Sequence, residues 1–528
     1  MSSTRVGVFG WGIVAPKSPN ISTFARNLSS SGTWLCPFNG FGPDNFLVGY
    51  PEFCFEDYQE WIDGRFAPRH YRNLKEKMDL PSLYAIGAFI QSLEQNPGIE
   101  DVLKELGSEA HVYVGTGLGS LDTIHDASIA LYKAQRRWNR FWAQPEYNGA
   151  LRSYLSRPKE KRDVSDEDVP PSPHHVDEEH RDDAMDAWSL YWTARSPELT
   201  EYLDELAQID GLTLEGEIEA AKLNAIREKE KRRQKLREKW QAPEPPWNVS
   251  AKLIWNIHNV PAAQISILGK IHGLAFAPAA ACSTFGVALK LAMNAIRSGE
   301  AKVVVVGATD PPPHPLTVGS FYSARVLSSD KLVSVPLTQY RGTHIAGGAV
   351  VWIVGDLDYL KAKGFQPLGM EPVAVGVSSD AYHIITPSAS GPKIAIDQAL
   401  AEADATPLSI GTWDLHATAT PGDYGEITTF HSIFPDSVLV TARKGTFGHG
   451  MSAGGGWEIT AQYLSYERGR MFPTPLASTE LNPAIEEVHN RIVFDAPCAF
   501  PPGLGGKLSM GIGGVNACII SRPWNEKP

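Results

Sequence analysis

The chain lacks three things, and each absence closes off a class of function. It has no surplus of positive charge: 48 Lys and Arg stand against 60 Asp and Glu, a net charge of -12 over 528 residues. That excludes general nucleic-acid binding, although a local basic patch could still meet an acidic protein partner. It has no apolar run approaching the ~20 residues of a membrane span, and no basic flank leading into an apolar core at the N-terminus, so neither a membrane segment nor a secretory leader is expected. Its five cysteines, Cys36, Cys54, Cys282, Cys498 and Cys518, are odd in number and share no spacing. A disulfide framework is therefore excluded, and a reducing, cytoplasmic setting is expected.

What is present is a strand and helix alternation on either side of an interruption. Val6 to Phe9, Val112 to Gly115, Leu274 to Ala281 and Val303 to Val306 read as strands of a first half. Val350 to Val354, Val373 to Val377, Ser437 to Thr441 and Val515 to Ile520 read as strands of a second. Continuous apolar strands alternating with helices imply α/β sheets covered on both faces. The expected division is 1-129 with 253-345 as one half, 346-528 as the other, and 130-252 as an α-rich, charged insertion. Within the insertion, Ser153 to Met185 is rich in proline and acid and reads as an extended surface segment. Leu214 to Trp240 begins with helical spacing through Leu214, Ile218, Ala221 and Ala225 and ends almost wholly charged, so this helix is expected to project into solvent. Trp188, Trp192, Trp240 and Trp247 imply that the insertion buries apolar area.

Three residues carry chemistry: Cys282 in AAACSTFG, His416 in DLHATATP and His449 in KGTFGHG. Cys282 follows an apolar strand and precedes a helix patterned by Phe285, Leu289, Ala292 and Ile296. A helix N-terminus favours the thiolate, so the thiol is expected below its usual ~8.5, with Ser283 and Thr284 assisting the cap. The cysteine's own N-H would help form an oxyanion pocket. Read alone, Cys282 fits a buried structural thiol equally well. The two histidines each end a strand-like run and enter a turn of small residues, where neutral imidazoles can donate to a thioester carbonyl as it becomes an enolate.

The chain resembles the beta-ketoacyl-[acyl-carrier-protein] synthases of the elongating, Cys-His-His type. The resemblance runs in order through RVGVFGWGIVAP, VYVGTGLGS, the approach NVPAAQISILGKIHGLAFAPAAACST, SGEAKVVVVGATD, SFYSARVLSSD, the two histidine segments and the closing GIGGVN. It implies a thiolase-like five-layer αβαβα sandwich built from two similar halves, with the site between them. It further implies Cys282 as acyl-accepting nucleophile, and His416 and His449 as the pair that holds malonyl thioester and promotes loss of carbon dioxide. Lys444 and its salt-bridge partner Glu458 would secure the histidine loops. Thr418 and Thr420 would contact the pantetheine arm. Ile512 stands where relatives carry a phenylalanine gate, and its N-H would complete the oxyanion hole. No bound cofactor or metal is implied, since substrates arrive on the phosphopantetheine of acyl carrier protein, and a homodimer is implied.

Departures exist as well. Thr338 and Gly347 replace the family's aspartate and glutamate in a segment reading SVPLTQYRGTHIAGGAV, so the acidic network behind the site must be rebuilt. The HATATPGDYGE turn is one residue short, although Asp423 and Glu426 keep their mutual spacing. Two other functions remain open on the residues: a non-catalytic, chain-length-setting partner subunit, or an acyltransferase that uses the cysteine without decarboxylation. Gly10-Trp-Gly12-Ile-Val-Ala15 fits a loose dinucleotide fingerprint, but Pro16 follows at once and no acidic residue stands ~20 positions on. The tract His174, His175, Asp177, Glu178, Glu179 and His180 lacks the spacing of a metal site.

Overall fold

A computed structural model describes residues 4-42, 46-158, 168-212 and 218-524. The chain divides into two compact units, Met1–Thr123 with Ile254–Pro528, and Ile124–Leu253.

The larger unit is built on two five-stranded sheets. The first contains β1 (Val6–Val14), β2 (Ala110–Gly115), β3 (Ala275–Phe276), β4 (Val303–Asp310) and β5 (Gly348–Asp356), in the order β3-β2-β4-β5-β1. The second contains β6 (Glu371–Ser379), β7 (Ile410–Asp414), β8 (Leu439–Thr441), β9 (Leu504–Gly511) and β10 (Val515–Arg522), in the order β8-β7-β9-β10-β6. In each sheet the first three strands of that order are parallel, and each of the last two runs antiparallel to the strand before it. Counted within its own half, each sheet therefore repeats one order, 3-2-4-5-1. β1, β2 and β4 are buried on both faces, which is why they read as unbroken apolar runs and not as alternation.

Helices α3 (Thr284–Ser298) and α6 (Met451–Glu467) lie between the sheets and pack on both and on each other. Helices α1 (Leu80–Glu94) and α2 (Val260–Gly269) cover the outer face of the first sheet, and α4 (Ser390–Glu402) and α5 (Gly422–Ile433) that of the second. The result is the five-layer αβαβα sandwich. α6 is buried on every side from Met451 to Ser465, as a middle-layer helix must be. The dinucleotide-like glycines have a packing role here. A Cβ on Gly10 would stand 1.9 Å from the Ser92 carbonyl oxygen, and one on Gly12 1.8 Å from that of Ala88, so both glycines let α1 settle against β1.

The structure corrects several expectations. Val350 to Val354 does not open the second half: β5 pairs between β1 and β4 in the first sheet, so that half extends to Asp356 and its boundary is not at 345. An apolar strand fully buried on both faces carries no mark of which sheet it joins. Leu274 to Ala281 forms ladder pairs only at Ala275 and Phe276, because Pro278 offers no N-H and the chain must turn toward the cysteine. Met510 and its neighbours form a strand, β9, that the glycine-broken sequence does not announce.

In the smaller unit, Ser153 to Met185 is not wholly extended among its described residues: Gly149–Leu155 and Arg181–Thr193 are helices. The charged segment forms a helix over Ile218–Trp240, with Leu214 outside the described residues. It does not stand free in solvent. It packs along the helix Pro197–Asp210, with Arg233 paired to Asp210 at 2.7 Å, Lys239 to Glu205 at 2.7 Å, and Leu236 buried beside Trp138, Trp142 and Tyr202. Trp192 is buried and Trp188 and Trp240 half-buried, whereas Trp247 is exposed and packs edge-on to Trp138.

Candidate active site

Cys282 sits in a single 3-10 turn, Ala281–Ser283, immediately before α3. Ala281 adopts φ +47, a left-handed conformation that a residue with a Cβ takes only when its surroundings impose it. The surroundings are evident: the Thr284 hydroxyl accepts from the Ala280 N-H at 2.9 Å and donates to the Ala281 carbonyl at 2.7 Å, and the Ser283 hydroxyl donates to the Val515 carbonyl at 2.7 Å. Ser283 therefore ties the turn to β10 and makes no side-chain cap on α3.

His449 occupies the equivalent place in the second half. It follows the third strand of its sheet and precedes the central helix α6, as Cys282 does for α3. The two meet: His449 Nε2 lies 3.1 Å from Cys282 Sγ. The His416 ring stands 5.5 Å from that of His449, nearly perpendicular to it. All three side chains are buried.

Burial sets their acid-base state. It pushes the Cys282 thiol up to about 11, although the backbone N-H groups of Ile512 and of Cys282 itself, together with Lys444, act in the opposite direction. The expected lowering is thus reversed, because loss of water around the sulfur outweighs the helix terminus. Burial also holds both imidazoles well below their usual range, with Lys444 the next contributor for each. The resting site is a neutral thiol against two neutral imidazoles.

The loop bearing His416 is held from two sides. On one side, Asp423 and Glu426, three residues apart near the start of α5, accept from its backbone: Glu426 from the N-H groups of His416 at 2.7 Å and Ala417 at 2.8 Å, Asp423 from those of Thr418 at 2.7 Å and Ala419 at 3.0 Å. Burial raises Asp423 to about 6 and Glu426 to about 7. On the other side, Lys444 donates to the His416 carbonyl and pairs with Glu458 at 2.6 Å. The Thr418 and Thr420 hydroxyls are 2.9 Å apart at the half-buried edge of this loop, and Ile512 is partly exposed.

Several contributors have no individual signature in the sequence. Lys507 pairs with the second oxygen of Glu458 at 2.8 Å, and Arg443 lies 3.3 Å from Asp414, all of them buried. Asp310, at the end of β4, accepts from Thr116 Oγ1 and the N-H groups of Gly117, Leu118 and Ser452, and so joins the first sheet to the start of α6. These acids lie elsewhere than the two lost positions. Thr338 merely donates to the Val335 carbonyl at 2.7 Å, and at Gly347 a Cβ would meet the Pro311 carbonyl oxygen at 2.2 Å, leaving no room for any side chain.

The chain is similar to known proteins in sequence and in fold. Residues 222–358 match the family described as "Beta-ketoacyl synthase, N-terminal domain", and residues 371–477 match "Beta-ketoacyl synthase, C-terminal domain". The chain is 28% identical over 278 residues to 3-oxoacyl-[acyl-carrier-protein] synthase I, chloroplastic, of Hordeum vulgare, covering 51% of this chain and 59% of that one. It is 28% identical over 302 residues to 3-oxoacyl-[acyl-carrier-protein] synthase 2 of Rhizobium meliloti, covering 55% and 69%. The matched region thus spans about three-fifths of the barley relative's length. Among solved structures, the ishigamide ketosynthase/chain length factor superposes with a TM-score of 0.67 at 16% identity over 99% of this chain and 100% of the other. A beta-ketoacyl synthase from Burkholderia phymatum gives 0.63 at 16% identity, with the same coverage. The chain is thus similar in sequence to both domains of the beta-ketoacyl synthases, over 222–358 and 371–477, and shares the fold of solved ketosynthases.

Proposed function

We propose that this protein is a 3-oxoacyl-[acyl-carrier-protein] synthase that condenses an acyl group with a malonyl unit, releasing carbon dioxide, in fatty acid or polyketide synthesis. The observation that carries the reading is the 3.1 Å contact of Cys282 Sγ with His449 Nε2, beside His416. In the first half-reaction the Cys282 sulfur attacks an acyl thioester. Its proton passes to His449 and on to the departing pantetheine thiolate, so the histidine returns to neutral. The N-H groups of Ile512 and Cys282, which face the sulfur, are placed to receive the developing oxyanion. In the second, His416 and His449 hold the malonyl thioester carbonyl while its carboxylate leaves as carbon dioxide. The resulting enolate attacks acyl-Cys282 and expels the thiolate, which takes up one proton.

Both substrates would arrive on acyl carrier protein, with Thr418 and Thr420 at the pantetheine channel. A homodimer fits the exposed apolar side chains Ile254, Trp255, Ile257, Ile267 and Leu274, which lie on the segments leading to the edge strand β3. Five free thiols suit a reducing compartment such as the cytoplasm.

Incubation with acyl carrier proteins of graded chain length, followed by intact-mass and peptide analysis, should place the acyl group on Cys282. Malonyl carrier should then release carbon dioxide, and His416→Ala and His449→Ala should each suppress that release. Acyl transfer without carbon dioxide would indicate the non-decarboxylating acyltransferase. No loading, with unchanged behaviour of Cys282→Ala, would indicate the non-catalytic partner.

A further inference from the structure

The chemistry above draws on one lysine, Lys444, yet a second lysine, Lys507, is buried as completely beside the same carboxylate. A lysine in the middle of a covered sheet is expensive unless its charge and its donors are all met. Here its charge is met by two carboxylates and two of its donors by carbonyls: Lys507 Nζ pairs with Glu458 Oε2 at 2.8 Å and with Asp414 Oδ1 at 3.5 Å, and donates to the carbonyls of Leu508 at 2.5 Å and Leu415 at 3.2 Å. Lys507 and Asp414 are Cα partners across the parallel strands β9 and β7, which puts their side chains on one face. β7 ends at Asp414, and Leu415 and His416 follow directly. Lys444 takes the carbonyl of His416 and Lys507 that of Leu415, while the two ammonium groups share the two oxygens of Glu458. Arg443, Lys444 and Lys507 stand against Asp414 and Glu458 in this cluster, a surplus of positive charge.

We propose that Lys507 is a second positioning lysine of the condensing site, which fixes the backbone leading into His416 and supplies a second positive charge behind the two imidazoles. The inference rests on the condensing role proposed above. Among the described residues, the titratable and charged groups around the imidazoles are Cys282 from the first half, Lys444 from the short helix after β8, Lys507 from β9 and Glu426 from α5. Asp414, Glu458 and Arg443 lie behind the lysines. For both histidines Lys507 acts in the same direction as burial and Lys444, toward the neutral form. Losing it should let protonation reach the imidazoles at higher pH. A charged imidazole can no longer accept the proton of Cys282.

The test uses the full chain as Lys507→Met, Asp414→Asn and the double variant, each checked for native circular dichroism. Ring-labelled histidine is followed by NMR against pH, with His416→Ala and His449→Ala supplying the assignments, and carbon dioxide release from malonyl carrier is measured over the same range. Lys507→Met should raise at least one of the two imidazole titrations by ~1 pH unit and move the acid limb of carbon dioxide release upward with it. Asp414→Asn should raise neither. If Lys507→Met does not fold, the double variant, which removes one charge of each sign, should fold and show the same upward movement. Imidazole titrations that stay put in either folded variant would overturn the proposal, as would carbon dioxide release that falls equally at every pH. Should the wild type release no carbon dioxide, the condensing function fails, and the NMR titration still decides the part played by Lys507.

Discussion

The acid-base state of Cys282 can be measured directly by alkylation. A thiol at about 11 is ionised to only ~3 parts in 10,000 at about pH 7.5, against ~1 part in 10 for an ordinary thiol near 8.5. The more basic thiolate is intrinsically more nucleophilic, which returns roughly a factor of 10 for a difference of about 2.5 in pKa. The net expectation is alkylation by iodoacetamide some ~30-fold slower than an unperturbed thiol, before any loss from burial. Burial slows the reaction equally at all pH, so the slope is the decisive quantity. Peptide-resolved mass spectrometry, which separates Cys282 from the exposed Cys54 and Cys498, should show its rate climbing about tenfold per pH unit up to about pH 10. A plateau beginning below about pH 8 would mean a preformed thiolate-imidazolium pair with His449 and would refute the reasoning. His449→Ala should leave the midpoint almost in place, whereas an ion pair would lose its partner and move sharply upward.

Other expectations can be checked on the same preparation. Glu458→Gln keeps the shape of the side chain but leaves the Lys444 and Lys507 charges without their shared carboxylate, and should cost about 3–5 kcal/mol in urea denaturation. Glu426, raised to about 7 in the folded chain, binds its proton more tightly there than when unfolded. Its contribution to stability is therefore greatest near about pH 4 and falls as pH rises to about 7, by up to about 3 kcal/mol, and Glu426→Gln should remove this part of the pH dependence. Gly12→Ala, whose Cβ would stand 1.8 Å from the Ala88 carbonyl oxygen, should cost at least about 1–3 kcal/mol in the same assay while the circular dichroism spectrum keeps its shape.

The sequence displays its reactive residues more openly than what supports them, for a physical reason. Cys282, His416 and His449 each lie in a short turn of small residues between a strand and a helix, so the local pattern announces them. Lys507 lies in LGGKLSMG, where two glycines obscure the strand and a lysine suggests the surface; only its pairing across β7 reveals that it is buried. The direction of the Cys282 titration was likewise illegible. A helix terminus is a local feature, but the loss of water that overrides it comes from both halves of the fold. The partner choice of β5 and the packing of Ile218–Trp240 along Pro197–Asp210 also depend on residues far apart in the chain.

The repeated strand order places Cys282 and His449 at corresponding points of the two halves, each just ahead of a central helix. Had the halves stayed identical, these corresponding points would carry the same residue: sulfur facing sulfur, or imidazole facing imidazole. Either arrangement would give an inert contact or a crosslink, with no donor opposite an acceptor. Reactivity at this spot depends on broken internal symmetry, and so on two copies that share one polypeptide and were free to become different.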